Sequence, residues 1–287
     1  MSVPRLPVRP VTGEMRALLA VFGLLTLLAV GVLYGLAELT DRYFAWTISP
    51  PITAAFLGGG FGAGCVLVTL ARRERAWANA RLGVLTILVF VVLTLLATLL
   101  HLDRFHFGAP DAFPRFVAWF WLVVYVAVPL AMLAFLAVQA RMPGSDPPQR
   151  LTLSRWLAWL LGVQGAVMAV TGAGLFLAPA TVGPVWPWTL TPLTGRAVGA
   201  WLIALGVAAA LAIWERDLAR LRTGAVTYAV FGALQLGALA RFSEQVRWGV
   251  AAWIYVLVVT SVLAAGLYGW AAARALTRSG GEPALAG

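Results

Sequence analysis

The chain has 287 residues, of which 61% are hydrophobic and 11% are charged, and its mean hydropathy is +0.88. This balance excludes a soluble globular domain and indicates a polytopic membrane protein. All 21 basic residues are arginines, and they lie in short segments beside the apolar runs rather than along one basic stripe. We therefore expect the lipid bilayer as a partner and no nucleic-acid partner.

Eight apolar segments follow one another along the chain. A helix needs about 20 apolar residues to cross roughly 30 Å of hydrocarbon. The segments lie at about 17–37, 52–71, 82–102, 116–140, 156–178, 197–214, 223–240 and 250–273. The predicted fold class is all-α, an integral membrane bundle of eight transmembrane helices.

The arginines are distributed unequally between the two sides of this bundle. The termini and the loops after spans 2, 4 and 6 together hold 15 arginines, and the remaining loops hold 6. Because basic residues accumulate in cytoplasmic loops, we predict that both termini are cytoplasmic. The use of arginine without lysine is typical of a GC-rich bacterial genome, so the predicted location is a bacterial plasma membrane.

The sequence contains an internal repeat with a nearly constant offset. The matched residues are Trp46, Thr47 and Pro50 with Trp188, Thr189 and Pro192 at a shift of 142, and Glu74, Arg81, Gly83, Thr86 and Phe90 with Glu215, Arg222, Gly224, Thr227 and Phe231 at a shift of 141. Matches in polar and aromatic residues indicate duplication rather than shared composition. Two parallel copies of four spans predict a pseudo-two-fold axis along the membrane normal.

The repeat divides the chain into five predicted segments. These are a disordered cytoplasmic N-terminus at 1–15, a four-span repeat at 16–140, a cytoplasmic linker at 141–154, a second four-span repeat at 155–274 and a disordered cytoplasmic tail at 275–287. The linker is polar and rich in proline, as expected for a connection outside the membrane.

The predicted outer loop after span 3 carries both histidines of the chain. His101, Asp103 and His106 are residue types that bind zinc, iron or copper, so this segment is a candidate metal site. Paired histidine ligands on one helix usually lie three or four residues apart, whereas these lie five apart. A metal would therefore require a turn here, and the alternative is a set of hydrogen-bonded interface residues.

Aromatic and arginine residues on the outer side form a candidate vestibule. Its members are Trp46, Trp186, Trp188, Arg104, Arg196 and Arg241. The pair Arg104-Phe105 also matches Arg241-Phe242, which predicts equivalent positions in the two copies. Tryptophan is equally typical of the interfacial aromatic belt, and an arginine there pairs with lipid phosphate or with a nearby acid.

Chemical function is weakly encoded in this sequence. No ionisable residue lies in the middle of a predicted span, and no catalytic residue, cofactor or protein partner is indicated. Three classes of protein remain. They are a structural or accessory membrane component, a transporter-like protein for a small neutral or lipid-like ligand at the pseudo-two-fold interface, and a metal- or redox-binding protein that uses His101, Asp103 and His106.

Three segments carry a resemblance to other proteins. Residues 43–58, 100–105 and 186–194, which include Trp46, His101 and Trp188, together resemble a group of multi-span proteins with tandem four-helix repeats from Gram-positive and related bacteria. No activity is assigned to that group. The resemblance therefore implies a fold and transfers no catalytic or binding residue.

Overall fold

The structure, a computed structural model, describes residues 7–279 and contains eight long helices. They are α1 (Gly13–Val30, continued by a π-helical turn at Gly31–Gly35), α2 (Pro51–Arg73), α3 (Trp77–Leu99), α4 (Ala112–Arg141), α5 (Arg155–Leu177), α6 (Pro192–Glu215), α7 (Arg222–Arg241) and α8 (Val250–Ser279). All eight are long and apolar enough to cross a membrane. The prediction of an all-α bundle with eight spans is confirmed.

Helices α2 and α6 begin in the same way. Pro51 and Pro192 each take the first helical position, where a missing N–H leaves no bond unmade. The residues before them, Pro50 and Thr191, have nearly equal backbone angles, with φ of −74° and −78° and ψ of 162° in both. Pro51, rather than the predicted Pro50, therefore corresponds to Pro192.

The same two helices lie at the centre of the bundle and are its most buried spans. Helix α2 packs against α1 and α7, whereas α6 packs against α5 and α3, and α2 and α6 also touch. The main contacts of each central helix are thus with one helix of its own half and one of the other half. The predicted pseudo-two-fold axis would produce this exchange, and the duplication itself stays a prediction.

Glycines allow the central helices to approach their neighbours closely. A Cβ added at Gly60 of α2 would lie 2.7 Å from the ring of Trp201 on α6. A Cβ added at Gly199 of α6 would lie 2.6 Å from the carbonyl oxygen of Gly172 on α5. Lipid provides no hydrophobic drive between helices, so close packing of this kind holds the bundle together.

The segment before α1 crosses one end of the bundle. Arg9 N–H donates to Ser145 O at 3.0 Å, and Trp77 N–H donates to Arg9 O at 2.9 Å. Thr12 N–H donates to the side chain of Gln139 on α4 at 3.0 Å. The predicted disorder of 1–15 is therefore wrong for 7–15, because these backbone groups pair with the linker, α3 and α4. Residues 1–6 lie outside the described range.

The linker and the end of α8 also differ from the predicted boundaries. Leu218 N–H donates to Leu151 O at 2.8 Å, and Leu153 N–H donates to Arg216 O at 3.0 Å. These bonds tie the linker to the loop after α6. Helix α8 continues to Ser279, so the tail predicted from 275 begins later, and residues 280–287 lie outside the described range.

The two ends of the bundle differ in the segments and residues that they hold. The end that holds the linker, the start of α1 and the end of α8 is called the arginine-rich end. The end that holds Trp46, Trp188 and His106 is called the tryptophan end.

Candidate functional site

His101 lies at the tryptophan end and joins the two halves of the bundle. Its Nε2 lies 3.0 Å from Nη1 of Arg196 on α6, and its Nδ1 lies 3.0 Å from Ala97 O. A guanidinium only donates and a carbonyl only accepts. The proton of the His101 ring is therefore on Nδ1, and Nε2 accepts from Arg196.

His106 and Asp103 have other partners. His106 Nδ1 donates to Phe44 O at 3.0 Å, and its Nε2 lies 3.1 Å from the hydroxyl of Thr47. Asp103 pairs with Arg104 at 2.9 Å, where both side chains are exposed. Among the described residues no three His, Cys, Asp or Glu side chains are placed to hold one metal ion. The structure therefore does not bring the predicted ligands His101, Asp103 and His106 together.

The loops after α3 and α7 are anchored at corresponding points by different residues. His106 N–H donates to Ala45 O at 2.9 Å, and Arg247 N–H donates to Pro187 O at 2.8 Å. The donors are 141 positions apart and the acceptors 142 apart, as in the predicted repeat. His106 in the first half thus corresponds to Arg247 in the second.

This register favours another match for Arg104 than the predicted one with Arg241. Arg104 ends the 3-10 turn Leu102–Arg104, and the corresponding turn in the second half is Ser243–Gln245, so Arg104 corresponds to Gln245. Arg241 is instead the last residue of α7. Its guanidinium donates to Tyr34 O at 2.6 Å, at the end of α1.

The three tryptophans of the predicted vestibule are buried. Trp46, Trp186 and Trp188 are 3%, 8% and 1% exposed. Each half packs three rings together, which are Phe44, Trp46 and Trp121 in the first and Trp186, Trp188 and Tyr255 in the second. Trp188 also donates from its indole N–H to Thr53 on α2 at 2.9 Å. These tryptophans join elements of the core and do not line an open vestibule.

Aromatic rings fill the contact between the two halves. Trp201 of α6 stacks on Phe90 of α3 with 3.9 Å between ring centroids, and it meets Phe61 of α2 edge-on at 5.5 Å. Gln235 of α7 is fully buried and donates to Phe56 O at 2.9 Å. Protein side chains thus occupy the position at which the sequence predicted a ligand between the halves.

An apolar cavity of about 290 Å³ lies in the first half, between α1 and α4. It extends along residues 22–32 of α1 and 113–128 of α4, and its inner wall includes Phe61 and Val91. Leu28 and Phe116 line it and are 58% and 63% exposed, so the cavity opens to the side of the bundle. In a membrane that side faces hydrocarbon.

The cavity occupies the half of the bundle nearer the tryptophan end. Eleven residues of α1 at 1.5 Å per residue extend over about 15 Å, which is half of a hydrocarbon core roughly 30 Å thick. Towards the arginine-rich end, α1 and α4 are joined by the bond from Thr12 N–H to Gln139. At the tryptophan end the rings of Tyr43 and Phe113 meet edge-on at 5.9 Å. Residues 113–128 of α4 extend over about 23 Å, so the cavity is about 15–23 Å long, between half and three quarters of the hydrocarbon core.

Glycines bring α8 closer to α7 than α4 comes to α3. Val91 lines the cavity, and the repeat places Gly232 of α7 at its position. A Cβ at Gly232 would lie 2.8 Å from Leu263 N on α8, and Gly266 of α8 is in equally close contact with Ala229. Helix α4 contains no glycine. It cannot approach α3 as closely as α8 approaches α7.

A cluster of charged side chains at the arginine-rich end was missed by sequence reasoning. Arg81 of α3 forms a bidentate ion pair with Glu215 of α6, and its Nη2 lies 2.7 Å from Glu215 Oε2. Arg220 also donates to Glu215 at 3.0 Å, and Asp146 of the linker accepts from Arg81 at 2.6 Å. The Glu215 side chain is 1% exposed. The repeat had marked Glu215 and Arg81 separately, but only the structure shows that they meet.

No family model, no curated protein and no solved structure matches this chain.

Proposed function

We propose that this polytopic membrane protein is a structural or accessory component of the membrane that holds one apolar chain of a lipid-like molecule in the cavity between α1 and α4. The observation that carries the proposal is the cavity itself, which is apolar, about 15–23 Å long and open to the side. Ligand cavities in proteins are usually about 300–1,000 Å³. A volume of about 290 Å³ suits one chain rather than a whole two-chain lipid.

The polar groups in the cavity wall support an apolar occupant. Thr26 donates its hydroxyl proton to Phe22 O at 2.7 Å within its own helix, so it has no need of a ligand. The remaining wall is formed mainly by aliphatic and phenylalanine side chains. A polar solute would lose its hydrogen bonds with water in this space and gain few in return.

Transport between the halves and metal chemistry are less well supported. The stacked rings of Phe90 and Trp201 occupy the interface that a transport path would need. His101 and His106 are engaged with separate partners, as described above. The proposed ligand is thus lipid-like, as one of the sequence-based alternatives has it. It would bind at the side of the bundle instead of at the pseudo-two-fold interface.

The orientation of the protein is part of the same proposal. The arginine asymmetry supports a cytoplasmic arginine-rich end in a bacterial plasma membrane, and the cavity would then lie in the outer leaflet. Reporter fusions at residue 145, in the linker, and at residue 110, in the loop before α4, are expected to report opposite compartments. The same compartment for both would contradict eight alternating spans.

The cavity is tested by filling it. Val124 lines the cavity, whereas its neighbour Val123 points away from it and is 61% exposed. We expect a lipid to co-purify with the wild-type protein in mild detergent and to be lost from Val124→Trp, because an indole would occupy the space of the chain. Val123→Trp is the matched control and is expected to retain that lipid.

The measurement is the number of lipid molecules per protein by native mass spectrometry. A diazirine-labelled fatty acid should also crosslink to α1 and α4 in the wild type and in Val123→Trp. Equal lipid retention in Val124→Trp and the wild type, or crosslinks spread evenly over all eight helices, would contradict the proposal.

A further inference from the structure

Arg196 is an arginine of the tryptophan end whose charge no acid balances. It is the fifth residue of α6 and is half-buried. Its Nη1 donates to His101, and its Nε is buried without a hydrogen-bond partner. None of the ion pairs found among the described residues includes Arg196.

The partner of Arg196 carries no compensating charge. His101 accepts the bond from Arg196 at Nε2 and donates from Nδ1 to Ala97 O, so its ring is neutral in this arrangement. The first turns of a helix carry a partial positive charge, which makes the start of α6 unfavourable for a cation. Both facts leave an excess of positive charge at this point.

Other arginines at the tryptophan end donate hydrogen bonds to oxygen atoms. Arg104 pairs with the carboxylate of Asp103 at 2.9 Å. Arg241 donates to Tyr34 O at 2.6 Å, and Arg247 donates to Trp186 O at 2.6 Å. Arg196 instead donates to a ring nitrogen, and its Nε has no hydrogen-bond partner. Its guanidinium can therefore still donate to an anionic oxygen.

We propose that Arg196, supported by His101, binds the phosphate group of an anion at the tryptophan end. A guanidinium matches phosphate geometry and can donate two parallel bonds to it. Arg196 lies near the end of a membrane span, where lipid phosphates are found. The phosphate belongs either to a lipid headgroup or to a free phosphate ion. This site is on α6, away from the α1–α4 cavity, so it stands or fails independently of the proposed function.

The test compares Arg196→Gln with the wild type, with Arg196→Lys as the variant that keeps the charge. Arg104→Gln is the matched control, because it removes an arginine of the same end that already has its acid. Short-chain phosphatidylglycerol, a glucosyl diacylglycerol without phosphate, and inorganic phosphate are the three probes. Binding is followed by native mass spectrometry and by the shift of the thermal unfolding midpoint.

We expect the wild type and Arg104→Gln to bind phosphatidylglycerol about tenfold more tightly than Arg196→Gln, since one lost charge-assisted bond corresponds to at least that factor. Arg196→Lys should fall between them. Stabilisation by inorganic phosphate in the wild type and not in Arg196→Gln would assign the site to the free ion. Equal binding by Arg196→Gln and the wild type in both arms would overturn the proposal. If Arg196→Gln does not fold, equal stabilisation of the wild type by phosphatidylglycerol and by the glucosyl lipid, with none by inorganic phosphate, overturns it.

Discussion

The two halves of the bundle differ in how tightly their outer helices pack. In the first half α4 leaves a cavity of about 290 Å³ against α1 and has no glycine, whereas in the second half α8 packs closely on α7 at Gly232 and Gly266. Val91 lies on α3, and the predicted repeat places Gly232 at the same position of α7. A few side chains that set helix separation can therefore give one half a binding space while the other half serves as a rigid support.

The halves also differ at the arginine-rich end. Glu215 is held by Arg81 and Arg220, whereas the corresponding Glu74 is only half-buried and accepts from Asn79 at 2.9 Å. Arg222, which corresponds to Arg81, is exposed. The predicted repeat would pair Glu74 with Arg222 in the same way, but no ion pair between them is found among the described residues. The charged contact between the halves, which is formed by Glu215, Arg81 and Arg220, is thus asymmetric, and so is the cavity.

The largest expected effect comes from removing the ion pairs of Glu215. Glu215→Gln should lower the free energy of unfolding by about 3 kcal/mol, because it removes the charged acceptor that Arg81 and Arg220 share, while Asp146 and Asp217 still pair with them. Glu74→Gln is the matched control from the other half and should cost less than about 1 kcal/mol, since the side chain is partly solvated. Both are measured by denaturant unfolding in detergent. Equal losses in the two variants would show that the halves are clamped symmetrically.

The next effect tests the tight packing of α8. Gly232→Ala should destabilise the protein by about 1–3 kcal/mol, because the added Cβ would meet the backbone of Leu263 at 2.8 Å. Gly224→Ala on the same helix is the control, since its Cβ would have only Leu82 at 3.7 Å. There the higher helix propensity of alanine should stabilise by up to about 1 kcal/mol. Thermal unfolding midpoints that shift in the same direction for both variants would contradict this account.

Much of the architecture was predictable, because apolar runs of about 20 residues report directly on the thickness of a bilayer. The partners of the helices were less accessible. Glu215 and Arg81 are both visible as repeated residues, yet their pairing depends on how the halves are docked. Trp46 and Trp188 fitted an aromatic belt or a vestibule, because the sequence does not give the path of the non-helical segments before α2 and α6 that hold them. Those segments turn both indoles inward against other aromatic rings, which buries them.

The candidate sites show the same limit. The difference between Val91 and Gly232 is present in the sequence, but it becomes a cavity only because α4 has no glycine with which to approach α3. The spacing of His101 and His106 argued against a shared ligand on one helix. It did not identify Arg196, which lies 95 positions away, as the partner of His101.

The smallest expected effect is the difference in stability between two variants of the loops that anchor the tryptophan end. His106 and Arg247 hold corresponding loops to the segments before α2 and α6, His106 through Phe44 O at 3.0 Å and Arg247 through Trp186 O at 2.6 Å. Hydrogen bonds from a charged group contribute about 1.5–3 kcal/mol and those from a neutral group about 0.5–1.5 kcal/mol. Arg247→Ala should therefore destabilise the protein more than His106→Ala, as measured by the midpoint of thermal unfolding.

The same pair of variants separates a structural role from a metal site. Stoichiometric metal in the purified protein that is lost in His106→Ala and kept in Arg247→Ala would show that His106 is a ligand rather than an anchor.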